Sequence, residues 1–245
     1  MRVAVEVCVT SVEEAAMADA LGVDSVEVCS WLGCGGITPS SGLVDAIRNA
    51  IGIPARVLVR PTPGGFIYSK AESAVLLTDA EVFGGGALGL VTGALDGNHD
   101  LHVPIMSAVQ RLAPESEITF HRAIDRSRDP LRVMDLCLEL GIDRILASGG
   151  STLAIDGAGT LRALVDRASG ACLIAAAGGV NAANVVELVE RTGVPEVHFS
   201  AQRSVLGRQE DVSLSSSYDA VGSLTEPDPS KVEEVLNALV KAGLR

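Results

Sequence analysis

Glu-Val-Cys occurs twice in this chain, at residues 6–8 and 27–29, each time closing a short apolar run. Side chains alternate faces along a strand, so Glu6 and Cys8 share one face and Val7 takes the other. Glu27 and Cys29 repeat the arrangement around Val28. A carboxylate turned inward beside a thiol is costly to bury, so two such strands mark an interior that handles something. Thiols on adjacent strands, about 4.8 Å apart, suit copper(I), a soft ion that accepts thiolates at low coordination number. Two sulfurs do not complete the tetrahedral shell that zinc prefers, so zinc is expected to bind poorly. The bland reading of Cys8 and Cys29 is that each is a small buried hydrophobe.

Further candidates lie at the ends of later apolar runs. Glu27 and Arg60 are expected to pair as ions, with Glu6 lying deeper. Arg60 offers forked donors suited to a small carboxylate or phosphate, while the alternative is a structural salt bridge. His121 should share an inward face with Thr119 while Phe120 packs outward. It is either a general acid or base near neutral pH or a satisfied core histidine. Arg122 and Asp125 would orient it or cap the next helix, and His198 with Ser200 would support the site. The turns at Gly149-Gly150 and Gly178-Gly179, together with Ser200, are candidates for holding an anion, or are merely tight turns. Cys34 is a weaker third sulfur. Cys137 and Cys172 read as core filler, and Asn98–His102 as a solvated polar turn.

Eight β-like runs must position these groups, at 2–8, 25–30, 55–60, 88–93, 117–122, 144–148, 172–177 and 196–200. Between them apolar residues recur at helical spacing, near 40–50, 69–83, 104–113, 130–140, 158–168 and 181–192. An earlier helix opens at Ser11 with Glu14 three residues on, the pattern of a capping box. Gly22, Gly141, Gly170 and Gly193 stand where helices should stop. Strand and helix alternating eight times predicts a single (β/α)8 TIM-type barrel spanning residues 1–245. A doubly wound open sheet is the rival, but no GxGxxG follows the first strand. The Ser-rich stretch at about 206–230 reads as a long irregular loop before a last helix near 231–242.

Aromatics are only 3% of the 245 residues and apolar residues 47%, so the core rests on aliphatic side chains, as layered α/β packing requires. A net charge of −12 argues against nucleic acid or an anionic membrane as partner. No apolar segment opens the chain, and the longest apolar stretch, at 171–180, is far below the roughly 20 residues of a membrane span. Five cysteines, an odd number without CxxC spacing, fit a reduced cytoplasmic protein.

Several strings are similar to the copper homeostasis protein CutC family: EVCVTSVEEA at 6–15, VDSVEVCS at 23–30, GGITPSSG at 35–42 and TFHRAID at 119–125. ASGG at 147–150, AAAGGVNAANV at 175–185 and VHFSA at 197–201 extend the resemblance over about residues 3–205. The resemblance implies a cytoplasmic (β/α)8 barrel linked to copper(I) handling, with no particular reaction. Two positions depart from the family pattern. Ala177 stands where a third glycine is usual, and Cys34 where an acidic or small residue is usual.

Three functions remain open. The first is a copper(I)-binding protein using Cys8 and Cys29, without an organic cofactor. The second is an enzyme acting on a small polar or phosphorylated substrate through Glu27, Arg60, His121 and Glu6. The third is a ligand-binding barrel without turnover. The expected partner is a copper ion or a small anion, and a homodimer is left open.

Overall fold

The computed structural model describes residues 2–85, 88–205 and 224–245. Eight strands close into a barrel in chain order: β1 (Ala4–Val9), β2 (Ser25–Val28), β3 (Ala55–Leu58), β4 (Gly89–Thr92), β5 (Ile118–Phe120), β6 (Arg144–Ala147), β7 (Leu173–Ala177) and β8 (Glu196–Ser200). All neighbours are parallel, and β1 pairs with both β2 and β8. This is the expected (β/α)8 architecture, with β1 beginning two residues later than its apolar run suggests. Helices α1 (Val12–Ala20), α2 (Ser41–Ala50), α3 (Lys70–Phe83), α4 (Val103–Leu112), α5 (Pro130–Leu140), α6 (Ala158–Ala168) and α7 (Val185–Thr192) follow the first seven strands in turn.

Strand alternation divides the barrel cleanly. Val5, Val7, Val26, Val28, Val57, Val59, Leu90 and Phe120 are all buried and join the outer core beneath the helices. Burying one such side chain stabilises the fold by about 1.5–3 kcal/mol, so a one-residue slip in any strand would expose its core set and drive the polar set under a helix. The opposite face of each strand fills the barrel interior.

Local rules account for the ends of the helices. The Glu14 amide donates to Ser11 Oγ, as a cap requires. The Glu14 carboxylate does not return to Ser11 as a reciprocal box would. It accepts from the Thr10 amide and hydroxyl and from Gln202 Nε2, which ties the chain after β8 to the end of β1. α5 begins with Asp129 as cap and Pro130 in its first turn, and ends on Gly141 at φ 71°, a left-handed conformation that glycine adopts without a Cβ penalty. The left-handed cap predicted at Gly170 falls one residue earlier, on Ser169.

The stretch 206–230 differs from the expected loop at its C-terminal margin. β9 (Gln202–Val205) pairs antiparallel with β10 (Leu224–Pro227), and α8 (Pro229–Lys241) starts within the predicted loop. The remainder of that prediction, 206–223, lies outside the described residues.

Candidate functional site

A cavity of about 510 Å³ opens at the C-terminal ends of the strands, a size suited to a small molecule. Cys8 and Glu27 from β1 and β2 line it, with His198 and Ser200 from β8, and His121 and Arg122 just beyond β5. Gly178 and Gly179 close one side after β7, and Lys231, Glu234 and Val235 of α8 contribute to the wall.

The two cysteines meet as the alternation predicts. Cys8 Sγ and Cys29 Sγ are 3.3 Å apart, both buried, with Leu58 and Val91 packed around them. The hydrogen bond to Cys29 and burial, with the charges of Glu27 and Glu6 adding, push the Cys8 thiol well above its ordinary pKa. Cys34 turns elsewhere: its thiol donates to the Trp31 carbonyl in a short 3₁₀ turn, 3.1 Å away. Cys137 and Cys172 are buried in the outer core, as expected.

Below the cavity lies a charged layer. Arg144 donates to Glu6 at 2.6 Å and also to Glu196. Arg56 donates to Glu6 at 2.5 Å and to Glu117 at 2.7 Å. Ser25 Oγ and His198 Nδ1 complete the shell of Glu6 at 3.1 and 2.9 Å. Burial alone would raise the Glu6 pKa, but Arg144, the His198 hydrogen bond and Arg56 outweigh it and hold the carboxyl well below the usual range. Glu6, predicted as a site residue, therefore sits beneath the cavity as the hub of an ion network and does not line it.

Arg60 departs from its expected pairing with Glu27. Its guanidinium donates to the carbonyls of Cys34, Gly36 and Gly64 at 3.1, 2.7 and 2.7 Å, and lies 5.3 Å from the Phe66 ring centroid. Arg60 comes two residues after the last residue of β3, beyond the ladder, so its long side chain reaches across to the loop after β2. It fastens two loops at the mouth.

Glu27 is left with weak company. Its Oε1 is 3.8 Å from Cys8 Sγ, and its Oε2 is buried without a hydrogen-bond partner among the described residues. Burial, helped by the Glu6 charge, raises its pKa despite the opposing pull of His198, Arg144 and Arg56. Burial opposes protonation of His198, but Glu27, the Glu6 hydrogen bond and the Glu6 charge prevail and raise its pKa. One ligand atom each from Cys8, Glu27 and His198 lie within 4.8 Å of one another.

His121 faces the cavity while Phe120 packs outward, as predicted. Burial, then the charges of Arg60 and Arg122, push its pKa down to about 3, so the ring is neutral in the physiological range. Its Nδ1 accepts the Ala123 amide at 3.3 Å, leaving the proton on Nε2, which has no partner among the described residues. Gly93 makes room for it: a Cβ there would fall 2.5 Å from His121 Nδ1.

The glycine turns divide. Gly149 does not line the cavity; a Cβ there would meet the Gly157 carbonyl oxygen at 2.2 Å, so the glycine lets two loop backbones touch. The amides of Ser148 and Gly150 donate to Asp125 at 2.9 and 3.0 Å. The protein's own carboxylate thus fills this would-be anion turn, with Arg122 clamped to Asp125 at 2.9 Å. Gly178, Gly179 and Ser200 remain at the cavity. The polar turn at 98–102 is structural: Asp96 accepts the amides of Asn98 and Asp100, and His102 caps α4.

Sequence reasoning missed Arg56, Arg144 and Glu196. Strand parity held the signal, since Arg56 shares its face with Arg60, Arg144 with Ser148, and Glu196 with His198. Lys231 and Glu234 carried no comparable signal, because α8 reaches the site only through tertiary packing.

Fold and site together define a (β/α)8-barrel protein with a buried thiol pair, of which Cys8 lines the cavity, beside a loosely held carboxylate. The chain belongs to the CutC family, whose sequence profile matches residues 3–203. It is 39% identical over 239 residues to a CutC family protein of Xylella fastidiosa, covering 96% of this chain and 88% of that one. It is 34% identical over 247 residues to the human copper homeostasis protein cutC homolog, covering 96% and 88%. A crystal structure of a CutC protein from Streptococcus agalactiae superposes with a TM-score of 0.74 at 28% identity, over 80% of this chain and 98% of that one.

Proposed function

We propose that this chain acts in copper homeostasis in the cytoplasm, binding copper(I) between the thiolates of Cys8 and Cys29. The observation that carries the reading is the 3.3 Å separation of two buried sulfurs, of which Cys8 lines the cavity. Copper(I) prefers soft thiolates in a small coordination shell, and the apolar surround of Leu58 and Val91 favours such a shell over hydrated divalent ions. Binding must release thiol protons. The resulting negative charge is tolerable because Glu27 and His198 both have raised pKa values, and a protonated form of either lessens the repulsion. The name of the human relative supports the same role, and the free state of all five cysteines supports a reducing compartment. Anaerobic competition titrations of wild type, Cys8→Ser and Cys29→Ser test the reading. Both variants should lose affinity, and equal affinities in all three proteins would remove the thiol pair from the account.

A second reading is favoured by the cavity itself, which is far larger than one ion requires. An enzyme acting on a small polar or phosphorylated substrate would use Glu27, whose Oε2 has no partner among the described residues, as proton donor or acceptor. Neutral His121 would donate from Nε2, and the turn at Gly178 and Gly179 with Ser200 would hold an anionic group. Arg60 would contribute by shaping the mouth. A thermal-shift screen of phosphorylated and carboxylated metabolites addresses this reading, since a ligand that binds only the folded state raises Tm. A response retained in Glu27→Gln and Ser200→Ala alike would count against it.

A further inference from the structure

The expectation that zinc binds poorly counted sulfur donors alone, and the barrel floor supplies two more kinds of donor. Cys8 Sγ, a Glu27 carboxylate oxygen and a His198 ring nitrogen converge within 4.8 Å of one another. Donors around a tetrahedral ion stand roughly 3.5 Å apart, so modest side-chain rotation brings all three to one centre. Three further features point to a cation there. Glu27 is 4% exposed, yet its Oε2 has no partner among the described residues. His198 hydrogen-bonds Glu6 through Nδ1 at 2.9 Å. A carboxylate at that nitrogen is one of the usual supports behind a metal-binding imidazole, and it leaves Nε2 as the ligand atom. Finally, the buried guanidinium of Arg144 and the mostly buried one of Arg56 pair with Glu6 and Glu196. Arg60 is engaged by backbone carbonyls, so none of these three arginines forms an ion pair with Glu27.

We infer that Cys8, Glu27 and His198 form a mixed sulfur, oxygen and nitrogen site for a divalent ion of the zinc type. Three protein ligands with the remaining position facing a cavity is the arrangement of catalytic rather than structural zinc, in which water or a substrate oxygen takes the open place. The ligand class for that position is a small polar molecule offering an oxygen donor. The site shares only Cys8 with the copper(I) reading, and either can fail without the other. The copper pair takes its ligands from Cys8 and Cys29, with Glu27 and His198 acting only through their charge, whereas the divalent site takes Glu27 and His198 as ligands and not Cys29.

Cobalt(II) is the probe, because its visible bands report coordination geometry and its charge-transfer band reports a thiolate ligand. Titration of the reduced wild-type chain should give tetrahedral or five-coordinate bands with a single thiolate contribution. X-ray absorption of the zinc-loaded protein should show one sulfur among nitrogen and oxygen neighbours. Glu27→Gln, His198→Gln and Cys8→Ser should each weaken cobalt binding more than about tenfold, while Cys29→Ser retains it. Circular dichroism of each variant checks its fold. The wild-type spectra also decide independently of any variant. A cobalt complex with no thiolate band, zinc bound through two sulfurs, or unchanged affinity in folded His198→Gln would overturn the assignment.

Discussion

Arg144→Met removes the guanidinium at the centre of the buried ion network, and the structure sets both the size and the pH dependence of the outcome. Arg144 is 1% exposed and bonds Glu6, Glu196 and Thr119 Oγ1. Methionine fills much of the volume, so the loss is chiefly electrostatic. Removing one partner of a buried pair costs about 3–5 kcal/mol, because the carboxylates are stranded. In a chain of this length that lowers Tm by roughly 6–20 °C. In wild type the Glu6 pKa is held below its unfolded value, so its stabilisation is present above the ordinary carboxylate pKa and fades as pH falls through the folded value. Without Arg144 the folded pKa of Glu6 should rise above the unfolded one, and that of Glu196, already raised by burial, should rise further. A raised carboxylate pKa reverses the sign: the penalty is absent below the unfolded pKa and grows as pH climbs toward the folded value. The gap between wild type and variant should therefore shrink from pH 7 toward pH 5, by up to about 1.4 kcal/mol per pH unit for each proton taken up. Urea unfolding at both pH values measures it. A loss below about 1 kcal/mol at pH 7, or a gap no smaller at pH 5, would refute the reasoning about the network.

Two further substitutions test how His121 is seated. His121 stays neutral with a pKa near 3, so its stabilisation is full above the unfolded value of about 6.5 and is lost as pH falls from there toward 3. The cost of His121→Gln should therefore shrink by about 2 kcal/mol between pH 7 and pH 5 in urea unfolding. Gly93→Ala would press a methyl to 2.5 Å from His121 Nδ1 and 3.0 Å from Phe120 Cε2, and should destabilise the fold by about 1–3 kcal/mol, with the His121 ring resonances displaced in NMR spectra.

Much of the architecture could be read from the chain because strand parity and helix punctuation are local signals. Val-Glu-Val-Cys declares which face of β1 is inward whatever surrounds it, and Asp129-Pro130 and Gly141 bound α5 without help from the fold. The site was harder to read. The chain places Glu27 and Arg60 at the mouth together, but pairing depends on where the Arg60 side chain goes once β3 has ended, and that is decided by carbonyls of loops distant in sequence. Asp125 filling the turn after β6, and Glu6 gathering Arg56, Arg144 and His198 from three other strands, are likewise products of closure. Parity restricts such partners to one face and stops short of matching them.

Reduced wild-type protein loaded anaerobically with one equivalent of copper(I) should show two sulfur neighbours per copper by X-ray absorption, falling to one in Cys29→Ser. Copper surrounded by nitrogen and oxygen alone, or a sulfur shell unchanged in both Cys8→Ser and Cys29→Ser, would contradict the thiol-pair account.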